Sequence, residues 1–211
     1  MKPWRFTAIL MTALFVAAGC QGSGLSKAET QNTYEKIQSI LVKVNSYMCE
    51  ATVEYKSNKG SNIYDTLQKC KTTGEYRVEV VGPDKVSGNI TVSDGKTIYQ
   101  FNTRLSGKIS VATKESQERS EIFFTSFLKN YLQSNETSVN AAKVEGDPCT
   151  VLEAAIPGSH PYLASEKLWI DNKTYKPVKL IVYDPQGSER IIVTYKTFEY
   201  NVTLDDSEFK V

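Results

Sequence analysis

Histidine is almost missing from this chain: His160 is the only one in 211 residues. That count excludes every multi-histidine metal site and most histidine-based acid–base chemistry. An excess of either charge is missing too. Lys and Arg number 25 against 24 Asp and Glu, so no basic field points to nucleic acid and no acidic block to a disordered tail. The four cysteines contain no C-x-x-C pair, which removes the usual zinc spacing. The glycines show neither GxGxxG nor GxxxxGK[ST], so no nucleotide cradle is indicated. What is present is 40% hydrophobic and 10% aromatic, the composition of a folded globular chain.

The first twenty residues differ from the rest. Lys2 and Arg5 precede the apolar run Phe6 to Ala18, and no acid interrupts them. A run of roughly 13 residues is short for a spanning helix, which needs about 20. It ends in Ala17-Ala18-Gly19-Cys20, which resembles the lipobox of bacterial lipoproteins. The resemblance implies a signal peptide over 1–19 and a diacylated Cys20 as the new N-terminus. Ala17 departs mildly, since Leu is commonest there. Two acyl chains anchor stably where one binds only marginally. Residues 20–26 then form the lipidated cysteine and a flexible Gly/Ser tether. The remaining 192 residues hold 23 bases and 24 acids, enough chain for a single domain over 27–211.

Cys49, Cys70 and Cys149 remain. An extracytoplasmic address favours a disulfide among them. Residues 49 and 70 are equidistant from the turn at Lys59-Gly60, so a symmetric hairpin would set them opposite each other. Cys49 with Cys149 is the rival pairing, and the sequence does not decide between them.

Hydrophobic periodicity organises the rest. Tyr34, Ile37, Ile40, Leu41 and Val44 recur at spacings of three and four, which predicts a helix over Ser26–Asn45. The period then becomes two in Cys49–Tyr55, a half-buried strand. Further strands are expected over Ile63–Lys71, Tyr76–Val80, Val86–Val92, Lys96–Phe101 and, short and exposed, Leu105–Ala112. The Asp94-Gly95 pair is a strong hairpin signal. Helical spacing returns over Ser116–Ser134, where Ile122, Phe123, Phe124, Phe127, Leu128, Tyr131 and Leu132 make a wide apolar face. It is expected to be a core helix, because Lys129 is its only nearby cation and interfacial helices carry many. Cys149–Ile156, Glu166–Asp171, Pro177–Tyr183 and Glu189–Tyr200 complete a meander, with Pro157–Pro161 among its turns. The order predicts an α+β fold: a strongly curved antiparallel sheet of about ten strands, an open half-barrel, with two or more helices on its concave side.

No catalytic constellation emerges. Ser159-His160 lies in a Pro/Gly loop, and adjacent residues do not easily form a nucleophile–base pair. Asp205-Asp206 sits at a solvated turn, where paired carboxylates seldom do acid–base work. No catalytic residue, metal or cofactor is assigned, and the chain is expected not to be an enzyme. Trp169 follows Leu168 and is expected in the core, with exposure as a partner anchor as the alternative. An open half-barrel keeps two unpaired edges that another chain can complete or that allow a strand-exchanged homodimer. The candidate edge is Leu105–Ala112, with Leu105, Ile109, Val111 and Trp169 as candidate partner contacts.

Several stretches in order, GEYRVEVVGPDK (74–85), VSDGKTIYQFN (92–102), EKLWIDNKTYKPVKLIVYDPQGS (166–188) and FEYNVTLDDSEF (198–209), resemble the LolA/LolB-like lipoprotein-carrier superfamily over nearly the whole mature chain. IPGSHPYLASEKLWID (156–171) is similar to its lipid-anchored clostridial branch, the spore germination lipoproteins of the GerS type. That resemblance implies a non-enzymatic protein acting through a zinc-dependent N-acetylmuramoyl-L-alanine amidase on spore cortex peptidoglycan. It implies a location on the outer face of the cytoplasmic membrane, in the forespore intermembrane space. The alternative is a carrier or receptor for lipid or lipoprotein acyl chains.

Overall fold

The computed structural model describes residues 27–104, 120–134 and 137–210. The elements are α1 (Lys27–Leu41), β1 (Ser46–Ser57), β2 (Gly60–Lys71), β3 (Glu75–Gly82), β4 (Asn89–Asp94), β5 (Ile98–Asn102), α2 (Phe124–Gln133), β6 (Thr137–Val144), β7 (Asp147–His160), β8 (Leu163–Asp171), β9 (Pro177–Tyr183) and β10 (Glu189–Tyr200). Short 3-10 turns span Ser120–Ile122 and Asp206–Phe209. The strands form one open ten-stranded sheet in the order β5-β4-β3-β2-β1-β10-β9-β8-β7-β6. Every ladder is antiparallel, and the first strand pairs with the last at the middle of the sheet.

Alternation decides which side chains point inward. Leu152, Leu168, Leu180, Val193 and Val53 stand opposite one another across β7, β8, β9, β10 and β1, and all are buried. Each such aliphatic contributes roughly 1.5–3 kcal/mol by leaving water. Both helices close this concave face. From α1 come Ile37 and Leu41, and from α2 come Phe124, Phe127, Leu128 and Tyr131, all within one core cluster. Gln38 Nε2 donates to Tyr34 Oη at 3.0 Å and Tyr131 Oη at 2.8 Å, which ties the two helices together. The apolar stretch expected to be a core helix packs as core, with six of its seven residues buried and Leu132 exposed, but the α-helix is only Phe124–Gln133: Ile122 lies in the 3-10 turn, Phe123 precedes the helix, and 116–119 lie outside the described residues.

A smaller cluster lies on the convex face. There Phe209 packs against Ile90 and Val92, with Phe101 and Leu204 beside it. Lys69 pairs with Glu208 and Lys71 with Asp206, holding the C-terminal segment to β2.

Several expectations need correction. Strand β6 carries no clear alternation of apolar residues, since Asn140 and two alanines occupy its middle, and sequence periodicity missed it. Pro157–His160 belongs to β7 rather than to a turn. Pro157 cannot donate to a ladder, and pairing with β8 is irregular between Ala155 and His160. Strand β4 begins at Asn89, because Val86–Gly88 turns back onto Pro83 and Val80. Leu105–Ala112, and with it Leu105, Ile109 and Val111, lies outside the described residues, as do Cys20, the signal peptide and the tether. The edges among the described strands are β5 and β6.

The cysteine geometry differs as well. Ser57 pairs with Gly60, so the β1–β2 turn centres on Asn58-Lys59, with Gly60 at φ +138°. Cys49 therefore stands opposite Gln68, and Cys70 opposite Tyr47. The two thiols share the inward face as diagonal neighbours rather than as a facing pair. Cys149 stands three residues from inward-facing Leu152, so it points to the convex face. Cys49 and Cys149 are thus on opposite sides of the sheet. No disulfide joins the described cysteines.

Candidate functional site

The residues screened for chemistry are placed apart. His160 is exposed, and its Nδ1 accepts a hydrogen bond from the Tyr162 backbone N–H at 3.2 Å. Asp205 caps the last 3-10 turn by accepting from Ser207 N at 2.8 Å, and Asp206 holds Lys71 at 2.5 Å. Both carboxyls sit below the usual range through these hydrogen bonds. They shape the C-terminal segment. Among the described residues no group of three His, Cys, Asp or Glu side chains could hold a metal ion.

The most perturbed carboxyl was not singled out from the sequence. Glu166 on β8 lies on the same face as Leu168 and Ile170 and has no solvent exposure. Its Oε1 accepts from Asn130 Nδ2 of α2 at 2.7 Å. Its Oε2, Glu121 Oε2 and the Tyr195 hydroxyl are buried without a hydrogen-bond partner among the described residues. Burial pushes the Glu166 carboxyl up to about 7, and the Glu121 charge adds to this, while the Asn130 bond opposes it. A carboxyl of that kind suits general acid–base work, and this one is fully buried. The signal was available: residue 166 is two places before Leu168 in an alternating strand.

Two further features face solvent. A groove of about 970 Å³ opens at the end of the half-barrel where α1 finishes, between the β2–β3 and β4–β5 turns and α2. Val42 and Leu132 line it and are well exposed. Trp169 is on the convex face, half-buried, with Lys179 Nζ 6.0 Å from its ring centre. The core expectation for Trp169 is therefore corrected. Leu168 and Ile170 point inward, so the residue between them must point outward. It lies inside the sheet, with β7 between its strand and the edge strand β6.

These features define a class: an open antiparallel half-barrel whose concave side is filled by two helices. The chain belongs to the YdcC-like sporulation protein family, whose model, "Sporulation protein YdcC-like", matches residues 5–209. Among solved structures it is similar to the GerS lipoprotein in the complex of the CwlD amidase from Clostridioides difficile. That match has 30% identity and a TM-score of 0.50, covering 86% of this chain and 99% of that one. It is similar in fold to a conserved protein from Thermus thermophilus, at 15% identity and TM-score 0.50, covering 89% and 94%. A LolA superfamily protein from Nitrosomonas europaea also matches, at 15% identity and TM-score 0.45, covering 86% and 97%. None of the curated proteins matches the chain.

Proposed function

We propose that this chain is a membrane-anchored, non-enzymatic lipoprotein needed for spore germination. It binds an N-acetylmuramoyl-L-alanine amidase and activates or stabilises it on spore cortex peptidoglycan. The observation that carries this reading is the 30% identity, over 86% of the chain, to the GerS lipoprotein solved with the CwlD amidase. Membership of a sporulation family supports the setting. The filled concave face supports a scaffold, since Tyr47, Phe124 and Phe127 are fully buried in its core. In this reading Cys20 carries the lipid anchor on the outer face of the cytoplasmic membrane, and the sporulation family supports the forespore intermembrane space as the compartment.

The test is co-expression with the amidase of the same genome, followed by co-purification and an assay of cortex peptidoglycan cleavage. A stable complex with raised amidase activity or amount is expected. An amidase that neither co-purifies nor changes in activity or yield overturns the reading.

The groove favours one second reading, an acyl-chain receptor, because Val42 and Leu132 expose apolar surface at its rim. Native mass spectrometry of protein taken from membranes separates the two. Reproducible lipid adducts support the receptor, and a bare domain removes it.

A further inference from the structure

Helix α2 is held in place by what it packs against. It has ten residues, and no side chain caps its N-terminus at Phe123. A helix that short is marginal alone in water, so α2 is helical because it is docked. Phe124, Phe127, Leu128 and Tyr131 on one side enter the concave core. On the other side Ser126, Lys129, Asn130 and Gln133 line the groove. The helix is a cover with core beneath it and solvent above.

Its polar tie to the sheet is made to a carboxyl. Asn130 Nδ2 donates to Glu166 Oε1, and Asn130 also lines the groove, so one side chain separates the carboxyl from water. Across the ladders Glu166 faces Ala154 on β7 and Val182 on β9, and neither titrates. The Ser120–Ile122 turn brings Glu121, whose Oε2 is buried without a hydrogen-bond partner among the described residues, as is Glu166 Oε2. Strand β10 brings Tyr195, whose hydroxyl burial pushes further up and keeps neutral. Lys129 beside Asn130 is exposed, and no base is ion-paired with either carboxyl among the described residues. Protonated, Glu166 is a neutral group in an apolar wall. Ionised, it is a buried charge with one neutral donor and a second carboxylate acting on it. Moving α2 and its Asn130 aside gives both Glu166 oxygens to water.

We propose that α2, with the Ser120–Ile122 turn, is a proton-gated lid: it stays closed over the concave core while Glu166 holds its proton and lifts from the sheet more often once that proton is lost. Lifting bares Phe124 and Phe127, together with Tyr47 against which Phe124 packs at 5.6 Å. In the lifted form Glu166 is an ordinary exposed carboxyl with a pKa near 4.5, whereas the closed form holds the proton up to about 7. Opening therefore rises as the pH climbs between those two values and levels off above the higher one, by up to about 300-fold in all.

Hydrogen–deuterium exchange of the full mature chain at pH 5 and pH 8, read as protection factors corrected for intrinsic exchange, tests the lid. The α2 amides are expected to lose at least about tenfold in protection between the two conditions, and at pH 8 to lie at least about tenfold below the amides of β1 and β10 at the middle of the sheet. Glu166→Gln keeps an acceptor for Asn130 and is expected to hold α2 protection at pH 8 within about twofold of its pH 5 value. Glu121→Gln is expected to keep a smaller drop, because the charge acting on Glu166 is gone. Wild-type α2 protection that is the same at both pH values overturns the lid. So does a drop shared equally by β1 and β10, since the whole domain would then be opening. A drop that persists in a folded Glu166→Gln variant overturns the assignment to Glu166. A thermal melt of each variant establishes that it is folded, and the wild-type comparison decides the lid by itself.

Discussion

Asn130 of α2 donates a 2.7 Å hydrogen bond to Glu166 of β8, and that bond is the only one this fully buried carboxyl has among the described residues. An ionised Glu166 would therefore leave one oxygen desolvated and unpaired. The carboxyl titrates near 7, against 4.5 for an ordinary glutamate. The folded state holds the proton more tightly than the unfolded one. The stabilisation is complete below about pH 4.5 and is lost as the pH rises through 7. Glu166→Gln is expected to be more stable than wild type at pH 8, by up to about 3 kcal/mol, and to lose that advantage near pH 4. Urea unfolding at several pH values checks this; a pH-independent difference would contradict it.

Phe124 is the centre of the aromatic core. Its ring meets Tyr47 at 5.6 Å, Phe198 at 5.2 Å and Tyr200 at 5.8 Å between centroids. Phe124→Ala is expected to cost about 3–5 kcal/mol in denaturant unfolding. Leu132→Ala, half-exposed on the same helix, should change stability by less than about 0.5 kcal/mol.

Cys49 and Cys149 face opposite sides of the sheet, so a disulfide-linked peptide joining them should be absent after non-reducing digestion of the native protein. All three described cysteines are buried, and burial pushes the Cys49 and Cys149 thiols up. Alkylation of native protein should be slow and should become complete in denaturant. Rapid labelling of Cys49 without denaturant would contradict its placement.

The anchor is tested at Cys20. Cys20→Ser should move the protein from the membrane fraction to the soluble fraction after cell breakage, with no change in the thermal melt. Retention in the membrane would remove the lipoprotein reading.

Local patterning carried much of the fold. Period-two runs placed nine of the ten strands within a few residues, and period-three-and-four spacing placed both helices. The Asp94-Gly95 hairpin and the curved open sheet followed from turn chemistry and strand number. Strand β6 escaped because its residues are small and polar on both faces; it is a strand through pairing with β7.

The sequence by itself determined the lipobox-like start, the family resemblance, the scarcity of histidine and the succession of elements. Each of these is a property of neighbouring residues or of composition. Tertiary structure decided the rest: that Cys49 meets Gln68 and not Cys70, that Trp169 faces outward, and that Glu166 is buried against Asn130. Register and burial depend on which strands pair and what packs over them. A shift of one residue reverses every side chain's face, and a shift of two changes every partner.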